Sequence, residues 1–199
     1  SLVYKSDGVL YTSDGRDIEM SVASTKAFYS QVTAGYLLAL HLADKTGVIG
    51  QVVLRRSLEA LKRLPKALER TMERRDAIAE VARRHSLNNM HWACVGSGPN
   101  YVAAQEIRIK LSELCYKSIA CDYLEDKKHI DLSSEPMILM CATGLDSVML
   151  SDAVKEAAIF KAHRSVPIVF ASEGVEDFGS YAADVISCPL VGENLDFIP

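Results

Sequence analysis

Met90-His91-Trp92-Ala93-Cys94-Val95-Gly96-Ser97-Gly98-Pro99-Asn100 runs from a β-like apolar segment, through two glycines, into a sequence typical of a helix start. We expect a strand from Met90 to Val95 and a helix from Pro99 to about Cys115. Downstream, apolar runs predict strands at 118–123, 137–141, 166–171 and 184–188, with a helix at 146–163. Strands that alternate with helices predict a mostly parallel sheet covered on both faces. The expected fold is an α/β, doubly wound, flavodoxin-like sandwich with right-handed crossovers.

The first fifty residues have a different pattern. Asp7-Gly8 stands between two short apolar runs, which predicts a β-hairpin, and Asp14-Gly15 marks a second turn. Ser24 or Thr25 can cap a helix that ends near Gly47. The second half of this helix is apolar on nearly all sides, so it needs packing partners on several faces.

A long helical pattern extends from Val52 to about His85. Leucines and one methionine recur every three or four residues and form one apolar stripe, and Pro65 is expected to kink or split the helix. Ten arginines and lysines occupy the other faces. They could bind nucleic acid, but no aromatic residues for base stacking lie between them, so a solvated face with interspersed acidic residues is favoured.

Length and composition set the broad class. With 199 residues, 49% apolar and 24% charged, the chain can bury one or two cores as a globular protein. A net charge of -4 gives no indication of nucleic acid or anionic membranes as partners. We expect no membrane-spanning helix and no export signal. Five cysteines without a C-x-x-C pair predict buried, reduced thiols and a cytoplasmic location, and no spacing suggests a metal site.

The Gly96-Ser97-Gly98 segment lies where a strand ends and a helix begins. Backbone N–H groups at such a helix start favour anions, so a phosphate or a sugar phosphate could rest here. The rest of a dinucleotide fingerprint is missing, and no cofactor is predicted. The alternative is a tight turn that carries no ligand, with Pro99 at the first helical position.

Two further groups of residues could carry chemistry. Glu106, Lys110 and Glu113 fall within about 60° of helical arc, so the lysine could help one carboxylate to act as a base. From the spacing alone, an exposed Glu–Lys–Glu ladder is the favoured alternative. His129, in the charged stretch Glu125–Asp131, could move protons near neutral pH or could be an ordinary surface histidine.

Several segments together resemble the glucosamine-6-phosphate synthase family, the glutamine–fructose-6-phosphate amidotransferases, in their sugar isomerase (SIS) part. Val22 to Phe28 is similar to the family's V-A-S-T-K-A-[FY] motif, and Leu61 to Pro65 to its L-x-x-L-P linker. Gly96-Ser97-Gly98 stands at the family's G-R-G. Glu106 to Glu113 is similar to E-G-A-L-K-L-K-E, and Glu125 to Asp131 to G-E-L-K-H-G-P.

The resemblance implies a fold and a division into domains. The fold would be the SIS-type three-layer α/β/α sandwich, preceded by the hairpin and the long helices. Residues 1–50 would be the C-terminal portion of a first SIS domain and 51–88 linker helices. Residues 89–199 would be a second SIS domain, truncated at its C-terminal end. The family's main phosphate cradle and its glutaminase domain have no counterpart in the sequence, so the chain alone should not complete the reaction.

The resemblance also implies catalytic roles. Glu113 would be the base that moves a proton between C1 and C2 of a hexose 6-phosphate, in a ketose-to-aldose isomerisation during amino sugar synthesis. Lys110 and Glu106 would support it. His129 would assist ring opening and reach across a homodimer into the neighbouring site.

Substrate binding is implied for Val22 and Ser24, which would contact the sugar phosphate, of the fructose 6-phosphate or glucosamine 6-phosphate class. The family's Gly and Pro after the histidine are replaced here by Ile130 and Asp131. This departure keeps an alternative open, a non-catalytic SIS module that binds a phosphosugar and regulates or dimerises.

Overall fold

The structure is a computed structural model that describes residues 2–13, 23–130 and 136–199. The chain divides into two compact units, Ser1–Glu59 and Ala60–Pro199, and the division falls within a long helix. Each unit is described separately below.

The first unit contains a 3-10 helix at Leu2–Lys5 and helix α1 at Thr25–Lys45. Helix α1 is followed by Thr46, whose hydroxyl donates to the Leu42 carbonyl at 2.7 Å. None of its described residues is buried within the chain, and Leu42 is 55% exposed. The exposure agrees with the predicted need of this helix for packing partners.

The predicted hairpin around Asp7-Gly8 is wrong, because residues 2–13 contain the 3-10 helix and no strand. Two short β-forming runs are marginal without a third strand or an apolar surface to pack on. Val9, Leu10 and Tyr11 are exposed, and the described residues of this unit supply no such surface for them. The turn predicted at Asp14-Gly15 lies outside the described residues.

Helix α2, Gln51–Glu73, starts in the first unit and continues into the second, and α3 follows at Arg75–His85. The break comes at Arg74, not at Pro65, which lies inside α2. A proline in a helix costs about 3 kcal/mol. The buried residues Ala60, Leu64 and Ala67 provide compensating apolar packing on either side of Pro65.

Several basic residues of these helices are paired with acidic groups or carbonyls. Arg83 pairs with Glu80 on the same helix, as predicted for a solvated face. Others reach the α/β domain: Arg70 and Arg74 pair with Glu173, and Arg74 also donates to the Ser187 carbonyl. Part of this face therefore fixes the end of α2 to the sheet, although Arg70 and Arg74 remain partly exposed.

The second unit contains the predicted α/β domain. Its five strands are β1 Trp92–Gly96, β2 Ala120–Tyr123, β3 Met137–Ala142, β4 Val166–Ser172 and β5 Asp184–Cys188. Its remaining helices are α4 Pro99–Cys115, α5 Lys127–Ile130 and α6 Ser147–Ala162. All strand pairs are parallel, and the order β2-β1-β3-β4-β5 is the flavodoxin-like order. The prediction of the fold class is confirmed.

Alternate residues of each strand pack on opposite faces of the sheet. Cys94 and Leu139 face a cluster that includes Ala104 of α4 and is packed against α3. Val95 and Met140 face the other cluster, which includes Ala157 of α6. Helices α4 and α6 therefore cover opposite faces, so the chain changes face between β1 and β3. Ligands of open α/β sheets bind outside the carboxyl ends of the strands at such a point.

Cysteine burial agrees with the prediction for three of the five thiols. Cys94, Cys141 and Cys188 are buried, whereas Cys121 is half-buried and Cys115 is exposed. No helix in the described part of the chain is both long and apolar enough to cross a membrane.

Candidate functional site

The predicted stripe of charges lies on the flank of α4. Ala104, Ile107 and Leu111 belong to the face of this helix that packs on the sheet. At about 100° per residue, Glu106, Lys110 and Glu113 are centred roughly 125° away from that face. The stripe is therefore at the margin between the core and solvent.

The three side chains form one connected group. The Lys110 Nζ lies 3.1 Å from the Glu113 Oε2 and 3.5 Å from the Glu106 Oε1. The side chains of Lys110, Glu106 and Glu113 are 18%, 21% and 30% exposed. They are half-buried rather than fully solvated, unlike the exposed ladder that the spacing favoured.

The electrostatics of the group are centred on Lys110. Its hydrogen bond to Glu113 raises the pKa of the Lys110 ammonium above its usual value. Partial burial acts in the opposite direction, and the negative charges of Glu106 and Glu113 add to the increase. The lysine thus stays protonated at neutral pH and holds two carboxylates beside each other. This arrangement can position one carboxylate near a substrate carbon.

His129 lies on the short helix α5, and its side chain is exposed. Its two preceding neighbours are held by acidic groups. Lys128 forms an ion pair with the buried Glu156 of α6. The side chain of Lys127 is only 2% exposed, and its Nζ lies 3.6 Å from the Asp122 Oδ2. Sequence reasoning missed Lys127, because the charged stretch predicts a solvated loop.

Glu113 and His129 belong to helices on different sides of the sheet. Helix α4 packs on one face, whereas α5 contacts α6, which covers the other face. Helix α5 follows the carboxyl end of β2, and Glu113 lies near the C-terminal end of α4. The structure therefore does not bring these two predicted catalytic residues together within the domain.

The two residues expected to contact a sugar phosphate belong to the first unit. Val22 lies outside the described residues. Ser24 is the residue before α1, with φ -95° and ψ 81°, and is half-buried. Its hydroxyl does not cap α1, although such a cap was one of the two predicted.

A pocket of about 110 Å³ lies at the carboxyl ends of β1 and β3. Gly96 and Gly98 form the turn between β1 and α4, with Pro99 at the start of the helix, as predicted. A Cβ on Gly96 would lie 2.4 Å from the Asn100 carbonyl oxygen, so only glycine fits this close approach. The pocket lining includes Ser97, Asn100, Thr143, Leu145, Asp196 and Phe197.

Asn100 joins the two loops of this pocket. Its Nδ2 donates to the Thr143 carbonyl at 2.8 Å, and its Oδ1 accepts from the Thr143 N–H at 3.1 Å and hydroxyl at 2.9 Å. Sequence reasoning placed Asn100 in the segment where a phosphate could rest, but it did not predict the bonds to Thr143 and did not identify Thr143 or Asp196. A polar residue in the first helical turn, beside two glycines, was the signal available for Asn100.

Comparison with known proteins identifies relatives over most of the chain. No protein-family model matches it. The glutamine–fructose-6-phosphate aminotransferase [isomerizing] of Caldanaerobacter subterraneus is 31% identical over 179 residues, which are 87% of this chain and 28% of the relative. The enzyme of the same name from Mycobacterium bovis is 31% identical over 190 residues, 93% of this chain and 30% of the relative. The chain thus spans less than a third of the length of these curated relatives.

A solved structure supports the fold. The C-terminal domain of glucosamine-fructose-6-phosphate aminotransferase from Francisella tularensis superposes with a TM-score of 0.81. The match covers 91% of this chain and 51% of that chain, at 20% sequence identity. At this identity the likeness concerns the fold, which is the SIS-type α/β/α sandwich.

Proposed function

Because the chain is a homologue of the sugar isomerase (SIS) region of the glutamine–fructose-6-phosphate aminotransferases, we propose that it is a phosphosugar-binding part of a glucosamine-6-phosphate synthase-like enzyme. The larger protein would convert a ketose 6-phosphate to the aldose form during amino sugar synthesis. The observation that carries the proposal is the joined, half-buried group of Glu106, Lys110 and Glu113 on α4.

The isomerisation needs a base that removes a proton from one sugar carbon and returns it to the next. Glu113 is the base in this proposal and moves the proton between C1 and C2 through an enediol-like state. Lys110 holds the Glu113 carboxylate in place through the 3.1 Å contact. Glu106, one helical turn before Lys110, forms a second ion pair with the Lys110 ammonium. A catalytic group held in one geometry lowers the entropic part of the barrier.

The position of His129 suggests how a second copy of the chain would take part. His129 and Glu113 lie on helices at different faces of the sheet, so one domain does not present both to one substrate. We therefore propose a homodimer in which His129 assists ring opening in the neighbouring site. The exposed side chain of His129 is consistent with such a role.

The remaining parts of the proposal follow from the resemblance. Val22 and Ser24 would contact the sugar phosphate from the first SIS domain. Residues 1–50 would be the C-terminal portion of that domain. Residues 51–88 would form the linker, and 89–199 would form most of the second SIS domain. The enzyme would act in the cytoplasm.

A second candidate is a SIS module that binds a phosphosugar and regulates or dimerises without catalysis. The observation in its favour is the replacement of the family's Gly and Pro by Ile130 and Asp131, directly after His129. A second observation also favours this candidate. Lys110 contacts both carboxylates, as it would in a Glu–Lys–Glu ladder that only stabilises the helix.

The test uses the full-length protein that contains this chain. Incubation of fructose 6-phosphate in D₂O, followed by NMR, measures deuterium incorporation at C1 and C2 independently of the amino donor. We expect Glu113→Gln to lower the exchange rate by roughly 10²–10⁴-fold, the usual contribution of a general base. The control Glu69→Gln changes an exposed carboxylate on α2 and should leave the rate unchanged.

Calorimetry on the same proteins separates the two candidates. Binding of fructose 6-phosphate without any exchange in the wild-type protein would support the regulatory module and exclude the enzyme. Equal exchange by the wild type and Glu113→Gln would remove Glu113 as the base.

A further inference from the structure

The pocket at the carboxyl ends of β1 and β3 is separate from the charged stripe of α4. It is lined by Pro99 and Asn100, at the N-terminal end of this helix. Glu113 lies fourteen residues later, about 21 Å along the axis at 1.5 Å per residue. A molecule in this pocket would therefore not contact the proposed base. The pocket nevertheless occupies the place where open α/β sheets bind ligands.

Two of the backbone donors and one hydroxyl that could hold a phosphate here are already used in internal hydrogen bonds. After β3, the Thr143 N–H donates to the Asn100 Oδ1 at 3.1 Å, and the Gly144 N–H donates to the Ser172 Oγ at 2.8 Å. The Ser97 hydroxyl donates to the Glu125 carboxylate at 3.0–3.1 Å. An anion would have to replace these internal hydrogen bonds, and each buried group left unpaired is costly.

The charge of the pocket also disfavours phosphate. Asp196 is part of its lining, and its Oδ1 accepts from the N–H groups of Val191 and Gly192 at 2.6 and 2.7 Å. These two bonds fix the position of the carboxylate. Glu125 adds a second negative charge beside Ser97. Among the described residues, the lining includes no lysine, arginine or histidine.

The groups that remain suit a ligand rich in hydroxyls. With its Oδ1 bonded to two N–H groups, Asp196 presents its Oδ2 as an acceptor, and the Thr143 hydroxyl oxygen retains a free lone pair. Leu145, Met149 and Phe197 supply apolar and aromatic surface beside these acceptors. A sugar ring offers both kinds of partner, hydroxyl donors on its edge and C–H groups on its faces. The volume of about 110 Å³ is below the roughly 300–1,000 Å³ usual for ligand pockets, so a ligand larger than one sugar ring would not fit.

We propose that this pocket binds a neutral polyol of the size of one sugar ring and excludes phosphorylated sugars. The site goes beyond the proposed isomerase function and does not depend on it. It would make this domain recognise an unphosphorylated sugar at one end of α4 while the charged stripe lies near the other end.

The first test is a titration of the ¹⁵N-labelled chain, followed by amide NMR spectra. D-Fructose, fructose 6-phosphate and inorganic phosphate are the probes, at equal ionic strength. D-Fructose at millimolar concentration should shift the amide signals of Thr143, Gly144 and Asn194 in a saturable way, and the two phosphate compounds should leave these signals in place. Saturable shifts of these amides with inorganic phosphate, or none with D-fructose, would overturn the proposal.

Two variants test the chemistry of recognition. Asp196→Asn keeps an Oδ1 for both N–H groups and removes the charge, so the affinity for D-fructose should fall about tenfold. Asp152→Asn, an exposed carboxylate on α6 paired with Lys155, is the matched control and should bind as the wild type does. Equal affinity in Asp196→Asn and wild type would contradict the role of Asp196.

A variant that fills the pocket covers the case in which Asp196→Asn does not fold. Met149 lines the pocket from α6 and is 41% exposed, so a tryptophan there can be accommodated at the surface while it occupies the pocket. Met149→Trp should abolish the D-fructose shifts, and Val148→Trp, at a 70% exposed neighbouring position, should not. Retained shifts in Met149→Trp would place the ligand elsewhere.

Discussion

Asn100 and Thr143 are joined by three hydrogen bonds that connect the first turn of α4 to the end of β3. Both residues are buried, and the bonds use both the Oδ1 and the Nδ2 of Asn100. They hold together the two loops where the chain changes from one face of the sheet to the other. This pairing helps to set the shape of the pocket at the carboxyl ends of β1 and β3.

The first prediction concerns this pair. Asn100→Ala should lower the free energy of unfolding by roughly 2–4 kcal/mol, because the Thr143 N–H and carbonyl are left buried without partners. Urea unfolding of the chain, followed by circular dichroism, measures the change. Asn88→Ala, at an exposed position before β1, is the control and should stay within about 0.5 kcal/mol of the wild type. Equal stabilities of the two variants would mean that the three bonds are not formed in solution.

The second prediction concerns the buried ammonium of Lys127. Its ion pair with Asp122 is 3.6 Å long, and the Asp122 Oδ2 has no hydrogen-bond partner among the described residues. Lys127→Met should cost about 3 kcal/mol in the free energy of unfolding, because the Asp122 carboxylate then loses its counter-charge. The double variant Lys127→Met, Asp122→Asn removes both charges and should recover most of this loss.

The same urea unfolding measures both Lys127 variants. A single variant as stable as the wild type would show that the ion pair contributes nothing to folding. A double variant no more stable than the single one would show that Lys127 acts through its packing rather than through its charge.

The third prediction is an alkaline loss of stability from the buried thiols. Burial raises the pKa of Cys94 to about 12 and that of Cys188 to about 11, and it raises the pKa of Cys141 as well, from an ordinary value of 9.0. The thiols thus keep their protons in the folded chain when the unfolded chain loses them. Their contribution to stability is complete below pH 9 and declines above it. The three together should lower the free energy of unfolding by roughly 3–4 kcal/mol between pH 8 and 10.

Urea unfolding at pH 8, 9 and 10 in a reducing buffer measures this decline. Cys141→Ala lacks one of the three thiols. Its free energy of unfolding should therefore fall by about a third less between pH 8 and 10 than that of the wild type, whatever its stability at pH 8. Cys115→Ala changes an exposed thiol and should keep the wild-type pH dependence. A pH dependence of stability in Cys141→Ala that matches the wild type would exclude Cys141 as a contributor.

The parts of the fold that could be predicted are those encoded by local patterns. Helix α4 was predicted from Pro99 to Cys115 and has these bounds, because Pro99 suits the first turn and Tyr116 ends the helix in a left-handed conformation. Strand β5 was also predicted at its observed bounds. The stripe of Glu106, Lys110 and Glu113 followed from helical spacing, but its partial burial did not, since burial depends on how α4 packs on the sheet.

The residues that were missed depend on contacts between distant parts of the chain. Asn100 and Thr143 are 43 positions apart, and nothing in either local pattern indicates their pairing. Lys127 is buried because β2 places Asp122 beside it, although its neighbours suggested a solvated loop. The hairpin failed for a related reason, because two β-forming runs do not pair stably without a surface to cover them.

The last prediction tests whether Lys110 and Glu113 are bonded in solution. Their hydrogen bond is the largest cause that raises the pKa of Lys110 above its ordinary value of 10.5. Glu113→Gln should therefore lower the pKa of Lys110, and Glu106→Gln should lower it less, since Glu106 contributes mainly through its charge. NMR titration of the lysine side chains measures these shifts, and Glu80→Gln on α3 is the control of equal charge change.

The raised pKa of Lys110 means that its contact with Glu113 stabilises the fold fully below pH 10.5. This stabilisation is lost as the pH rises through the pKa of Lys110 in the folded chain. Glu113→Gln should thus be less stable than Glu80→Gln at neutral pH, and an unchanged titration of Lys110 in Glu113→Gln would show that the two side chains do not meet.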